Sequence, residues 1–205
     1  MIRVAAFDVD GTLTVDDCVV PFLRQVAGTT ALTARMLRHP IGLVTAGWRR
    51  DRDSLKAASA AAAFSSRQLG EIETMAGSFA RGVYNGGLRS DVVDALNTHL
   101  QTGDIVVLVS ASFEIYLEPL SDLLGVNDVL ATRLEVGPDS TFTGCLDGPN
   151  CRGSEKVHRL HAWLDEKHGG RVNVHVTAYG DSPGDRELLA DADVAHWVDQ
   201  HKITK

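Results

Sequence analysis

The chain has 205 residues, 44% of them hydrophobic, and its 6 prolines are thinly spread, so it can bury a real core as one domain or as one domain with an insertion, and it is not a disordered chain. Its formal net charge is −7 and its basic residues form no long run, which argues against a nucleic-acid partner and requires any negative charge on a substrate to be met locally. Cys18, Cys145 and Cys151 are odd in number, Met1 leads straight into an apolar run with no signal peptide, and no apolar stretch reaches the roughly 20 residues of a spanning helix, so the expected setting is a reducing cytoplasm.

The first predicted element is a strand, Ile2–Phe7, and it runs into Phe-Asp-Val-Asp-Gly-Thr at 7–12. In an open α/β sheet ligands bind at the carboxyl ends of the strands, and Gly-Thr demands a sharp turn there. Asp8 and Asp10 then project from one strand tip while Val9 points elsewhere. Two carboxylates at one mouth repel each other unless a cation or a proton intervenes. A calcium loop is excluded, because Leu13, Thr14 and Val15 interrupt the run of oxygen ligands that such a loop needs.

Nearly a hundred residues separate this strand from the next strand-like run, far more than an ordinary connection. An inserted helical domain is expected at 17–85, with the core formed by 1–16 and 86–205. Val19–Ala27, Thr30–Arg38, Asp51–Phe64 and Ser65–Tyr84 read as its helices, and Asn85-Gly86-Gly87 as a flexible joint for a lid that excludes water. Within it, 40–48 forms an apolar strip followed by Arg49, Arg50 and Arg52. That strip reads either as a cap helix buried against its neighbours or as a peripheral contact with a membrane interface.

A helix Ser90–Gln101 leads back to the core, and Ile105–Val109 is a buried strand ending in Ser110, Ala111 and Ser112. Backbone N–H groups at the start of the next helix, Phe113–Leu124, together with the Ser110 hydroxyl, make an anion site, while Ser112 caps that helix. Leu130–Val136 and Thr141–Leu146 read as a hairpin. Cys145, Cys151, His158 and His161 match no common zinc spacing. Lys156 stands in the first turn of the helix Glu155–Lys167, the wrong end for the helix dipole, and reads either as a surface lysine or as a phosphate-holding cation that balances Asp8. Strands follow at Val172–Ala178 and Val194–Val198. Between them, Ser182 reads as an N-cap with Pro183 at the first helical position, and Asp185 lies in the first turn. Asp181 has no such structural account and reads as a metal ligand, with Asp185 orienting Lys156 or a bound water. The alternation of strands and helices gives an α/β fold with a mostly parallel sheet.

Asp8/Asp10, Ser110, Lys156 and Asp181/Asp185, in this order and strand context, resemble the motifs of the haloacid dehalogenase superfamily. Val109-Ser110-Ala111-Ser112-Phe113 and Gly153-Ser154-Glu155-Lys156-Val157 resemble its phosphoserine-phosphatase-like branch. The resemblance implies a Rossmann-like core with an inserted all-helical cap, and a Mg²⁺-dependent phosphomonoester phosphatase. It implies Asp8 as nucleophile and Asp10 as acid and base. Ser110, Ala111 and Lys156 would hold the phosphate; the Asp8 and Asp181 carboxylates and the Asp10 carbonyl would hold the metal. A hard divalent ion is also what the repulsion between a phosphate dianion and two carboxylates requires, since one lysine cannot cancel it.

The expected substrate is a small phosphorylated metabolite, phosphoserine-like in the first instance. Asp17 stands nine residues after Asp8, where that branch carries a Glu that reads the substrate amine, and Arg24 is a candidate for a carboxylate. A lipid phosphate such as phosphatidylglycerophosphate is the alternative within the same chemistry. The alternative of another class is a phosphoacceptor regulator without turnover, against which the large cap and the Asp-x-Asp-Gly-Thr context speak.

Overall fold

The computed structural model describes residues 1–28, 52–199 and 203–204. The alternation of side chains along the first strand, β1 (Ile2–Phe7), sets the architecture: Ala5 and Phe7 enter one buried cluster, Val4 and Ala6 the other. A strand buried on both faces reads as a continuous apolar run and takes parallel neighbours. β1 pairs in parallel with β2 (Ile105–Phe113) on one side and with β5 (Val174–Gly180) on the other. Outward from these lie β3 (Asp128–Val136), β4 (Phe142–Asp147), β6 (Val194–Val198) and β7 (Ile203–Thr204), in the order β4-β3-β2-β1-β5-β6-β7. The sheet is parallel except where β4 meets β3 and β7 meets β6. Its central strands, β1, β2 and β5, therefore deliver Asp8, Ser110 and Asp181 to one edge, the Rossmann-like arrangement in which ligands sit at the carboxyl ends.

Helices cover both faces. On the Val4/Ala6 face, Leu160, Trp163 and Leu164 of α6 (Ser154–His168) and Leu188 and Leu189 of α7 (Arg186–Asp191) close the core. The other face receives α4 (Ser90–Gln101) and α5 (Glu114–Leu124), and its cluster continues without a break into α1 (Val19–Ala27), α2 (Arg52–Phe64) and α3 (Leu69–Gly86). Phe22 of α1 lies 4.8 Å from Tyr116 of α5 between ring centroids, and Phe64 of α2 lies 5.4 Å from Phe113, mostly edge to face. Such aromatic pairs are worth about 0.5–1.5 kcal/mol each beyond the area they bury. Residues 13–15 and 87–89 run side by side, with Val15 N–H on the Gly87 carbonyl and Arg89 N–H on the Leu13 carbonyl, both at 2.9 Å.

Several boundaries differ from the sequence expectation for local reasons. The helix expected from Ser65 begins at Leu69, because Ser66 takes a positive φ of 62° and residues 66–69 pair with the 140–142 end of the hairpin. Asn85 and Gly86 are the last residues of α3 and Gly87 caps it, so the predicted joint is helical in two of its three residues. The strand expected at Val172–Ala178 runs from Val174 to Gly180, preceded by a 3-10 turn at Arg171–Asn173. Ser112 does not cap the helix after β2: the strand continues through Phe113, and the Ser112 side chain is engaged by Asp10. Ser182 is likewise no N-cap, since α7 starts at Arg186 and Ser182–Asp185 is a turn closed by Asp185 N–H on the Ser182 carbonyl at 3.0 Å. The helix expected at Thr30–Arg38 and the apolar strip at 40–48 lie outside the described residues, as do Arg49 and Arg50. No helix among the described residues is long and apolar enough to cross a membrane.

Candidate active site

Asp8 follows the last residue of β1 and gives its N–H to the Tyr179 carbonyl at 3.0 Å, which ties this strand tip to β5. The chain then winds through Val9–Leu13 and closes with Thr14 N–H on the Val9 carbonyl at 2.9 Å. Gly11 makes that turn with φ 81°, and a Cβ there would stand 2.4 Å from Asp181 Oδ2, so both the backbone angle and the close approach call for glycine. The turn aims Thr12 at Asp181, whose Oδ1 accepts the Thr12 hydroxyl at 3.1 Å.

Lys156 explains its anomalous place in the first turn of α6. Its side chain is 2% exposed, and Nζ lies 2.5 Å from both Asp8 Oδ1 and Asp185 Oδ1. Asp185 Oδ2 in turn accepts the Ser182 N–H at 3.0 Å and the Ser182 hydroxyl at 2.7 Å. Both oxygens of Asp185 are thus committed, which makes it a holder of Lys156. Burial alone would lower the lysine pKa, but the two carboxylates overcome that and hold it well above the ordinary lysine range. Asp8 is pushed up to about 7 by burial, which outweighs the attraction of Lys156, with Asp185 and Asp10 adding repulsion. Asp181 is also raised, by burial and then by Asp185. Carboxylate oxygens of Asp8, Asp181 and Asp185 lie within 4.8 Å of one another.

Asp10 is held from two sides: Oδ1 accepts the Cys18 N–H at 3.0 Å, and Oδ2 accepts the Ser112 hydroxyl. Burial raises its pKa, against the bond from Ser112. Ser112 reaches it because β2 is irregular here: Ser110 pairs with Ala131 and Phe113 with Thr132, so Ala111 and Ser112 bulge out of the ladder. A bulge frees backbone groups and re-aims side chains. Ser112 N–H donates to Ser110 Oγ at 3.1 Å, and Ser110 and Ala111 line the cavity.

That cavity, about 510 Å³, also gathers Asp8, Asp10, Lys156, Asp181 and Asp185. Asp17 lines it but is exposed, and its Oδ1 accepts the Val20 N–H at 3.1 Å at the start of α1. Arg24 is exposed and does not line it. The cation that α2 does bring to the cavity is Lys56, which sequence reasoning missed. It lies in an alanine-rich helix whose apolar spacing gives no hint of a buried charge. Burial lowers Lys56 to about 8 although Asp10 and Asp17 pull the other way, and its Nζ sits on the Ala111 carbonyl and 4.6 Å from the Phe113 ring centre. Asn150 and Arg152, also unforeseen, stand on the core side, and Val19, Val20, Leu23 and Leu55 make the apolar wall.

The donor set around Asp8 and Asp181 is all oxygen and short of positive charge, which suits a hard divalent cation such as Mg²⁺. Pairing with Lys156 leaves Asp8 still raised to about 7, so a further cation would be favoured there.

A model of haloacid dehalogenase-like hydrolases matches residues 5–190. The chain is 37% identical over 188 residues to Protein CicA of Caulobacter vibrioides, covering 92% of this chain and 82% of that one. It is 30% identical over 95 residues to a histidinol-phosphatase of Neisseria meningitidis serogroup C, covering 46% and 43% of the two chains. Among solved structures, a substrate-bound phosphoserine phosphatase superposes with a TM-score of 0.64 at 17% identity, over 95% of this chain and 85% of that one, a likeness of fold.

Proposed function

The chain belongs to the haloacid dehalogenase-like hydrolase family, and from that premise we propose that it is a phosphomonoester phosphatase working through an aspartyl phosphate on Asp8. The observation that carries this reading is the buried Asp8–Lys156–Asp185 arrangement with Asp10 in the same cavity. Lys156 fixes Asp8 through Oδ1 and brings positive charge to an incoming phosphoryl group. A carboxylate oxygen of Asp8 forms the new bond to phosphorus as the bond to the ester oxygen breaks, and Asp10 gives its proton to the departing alkoxide. Asp10 then removes a proton from the water that attacks phosphorus, releasing phosphate and restoring Asp8. Its raised pKa suits both duties. The Ala111 N–H in the bulge and the Ser110 hydroxyl donate to phosphoryl oxygens, while Ser112 N–H holds Ser110 Oγ in place. Mg²⁺, held by Asp8, Asp181 and the Asp10 carbonyl, would neutralise phosphoryl charge.

For the substrate, the cavity offers Asp17 for an amine and Lys56 for an anion beside an apolar wall, in keeping with a phosphoserine-like metabolite. The likeness to a histidinol-phosphatase favours as second reading an amino-alcohol phosphate, for which Asp17 alone would serve. The test is phosphate release with MgCl₂ or EDTA from phosphoserine, histidinol phosphate, sugar phosphates, nucleotides and phosphatidylglycerophosphate, with Asp8→Asn as blank. Multiple EDTA-sensitive turnovers on one substrate, abolished in a folded Asp8→Asn variant, are expected. Activity in that variant would remove Asp8 from its role, and a single phosphorylation event without turnover would favour the regulator.

A further inference from the structure

A second polar network lies in the same cavity wall, outside the chemistry assigned above. Asp53 and Lys56 are one turn apart on α2 and share a face. Asn150 Nδ2 donates to Asp53 Oδ1 at 2.6 Å, and Asn150 Oδ1 lies 2.9 Å from Thr132 Oγ1. The Thr132 oxygen is also 2.9 Å from the Ala111 carbonyl, on which Lys56 closes the ring. Thr132 is fully buried and Asn150 is 8% exposed, so a partner lost by either leaves a polar group without water to replace it.

The network joins two elements that no backbone hydrogen bond connects there: the inserted helix α2 and the bulge beside Ser110 that carries the Ala111 N–H. Ala111 C=O and Ser112 N–H belong to one peptide plane, so fixing the first orients the second, which holds Ser110 Oγ at 3.1 Å. Thr132 has one hydroxyl proton for two acceptors, and its oxygen already accepts the Cys151 N–H at 3.1 Å. While Lys56 serves the Ala111 carbonyl, that proton goes to Asn150 and completes the tie to Asp53. When Lys56 turns to an anion in the cavity, the same proton satisfies Ala111.

We infer that Asn150 is a positioning residue: through Asp53 it registers whether α2 is docked, and by competing for the Thr132 proton it sets whether the Ala111 carbonyl, and with it the Ala111–Ser112 peptide that holds Ser110 Oγ, is bound by Thr132 or left to Lys56. The activity arm of the test rests on the phosphatase reading; the exchange arm does not. Hydrogen exchange on the whole metal-free protein compares wild type, N150D and the double variant D53N/N150D. N150D sets two carboxylates against each other, whereas the double variant restores one amide donor facing one carboxylate, with Thr132 donating to the latter. Expected is about tenfold faster exchange in N150D at residues 110–113 and 53–58 together, returning to near wild type in the double variant. A purely local structural role would loosen 149–152 alone. With p-nitrophenyl phosphate and MgCl₂, kcat should fall about tenfold in N150D and recover in the double variant. Wild-type exchange at 110–113 in N150D, or a loss that persists in the double variant, would overturn the inference. If N150D does not fold, N150A with the same two readouts decides in its place. Absence of turnover in wild type would refute the phosphatase reading and leave the exchange arm to decide this one.

Discussion

Lys156→Met removes the ammonium and keeps most of the volume of the side chain, so it isolates the charge. In the wild type Nζ is 2.5 Å from a carboxylate on each side, in a place where the three side chains are 2%, 8% and 1% exposed. Removing one partner of a buried ion pair costs about 3–5 kcal/mol, because the remaining charge has neither water nor a counter-ion. For a chain of this size that corresponds to a fall in Tm of about 10 °C. The pH dependence separates this cause from lost packing. Lys156 is held above its ordinary value, so its stabilisation is fully present below the ordinary lysine range and does not change between pH 5 and 9. Asp8 titrates at about 7 in the wild type and rises further once the lysine is gone. A raised carboxyl contributes stability below its unfolded pKa and loses it as pH climbs through the folded one. The deficit of the variant should therefore grow by about 1.4 kcal/mol per unit above pH 7, until its own Asp8 titrates. Urea unfolding in EDTA at pH 5, 7 and 8.5 measures this. A deficit of the same size at all three pH values, or none at pH 8.5, would refute the reasoning.

Lys56→Met should stabilise the protein at pH 7. A lysine depressed to about 8 by burial lends stability above its unfolded pKa and loses it as pH falls through the folded one, so the charge costs about 3 kcal/mol at neutrality before the bond to Ala111 is subtracted. The advantage should shrink towards pH 10, and a variant less stable at pH 7 than at pH 10, relative to wild type, would contradict it. Gly11→Ala forces a Cβ to within 2.4 Å of Asp181 Oδ2 at a φ of 81°. Calorimetric titration should show Mg²⁺ affinity falling by about tenfold or more, and unchanged affinity would take Asp181 out of the metal site. Ser112→Ala removes a bond that lowers the Asp10 pKa, so the alkaline limb of the kcat/KM profile should move to higher pH. A limb that stays in place would mean that Asp10 is not the titrating acid.

Much of the fold is legible in the chain because periodicity is local. Ile2–Phe7 and Val194–Val198 are strands with the expected bounds, and Val19–Ala27 and Ser90–Gln101 are helices with theirs. Misplaced ends have tertiary causes. The helix after α2 starts late because residues 66–69 pair with the hairpin, and Ser112 leaves its capping role because Asp10 competes for its hydroxyl. The odd placement of Lys156 is visible in sequence as a charge at the wrong end of a dipole, and the structure supplies the reason in Asp8 and Asp185.

What the sequence determined by itself is the set of strand tips and the polar side chains each presents, since strand periodicity, glycine turns and unexplained acids are properties of a few neighbouring residues. Only the tertiary structure decided which distant side chains share the cavity. Arg24 faces away while Lys56, Asn150 and Arg152 face in, and Asp185 is committed to Lys156 through one oxygen and to Ser182 through the other. Those outcomes depend on how a helix docks on a sheet and how deeply a charge is buried, and neither distance nor desolvation is written in local spacing.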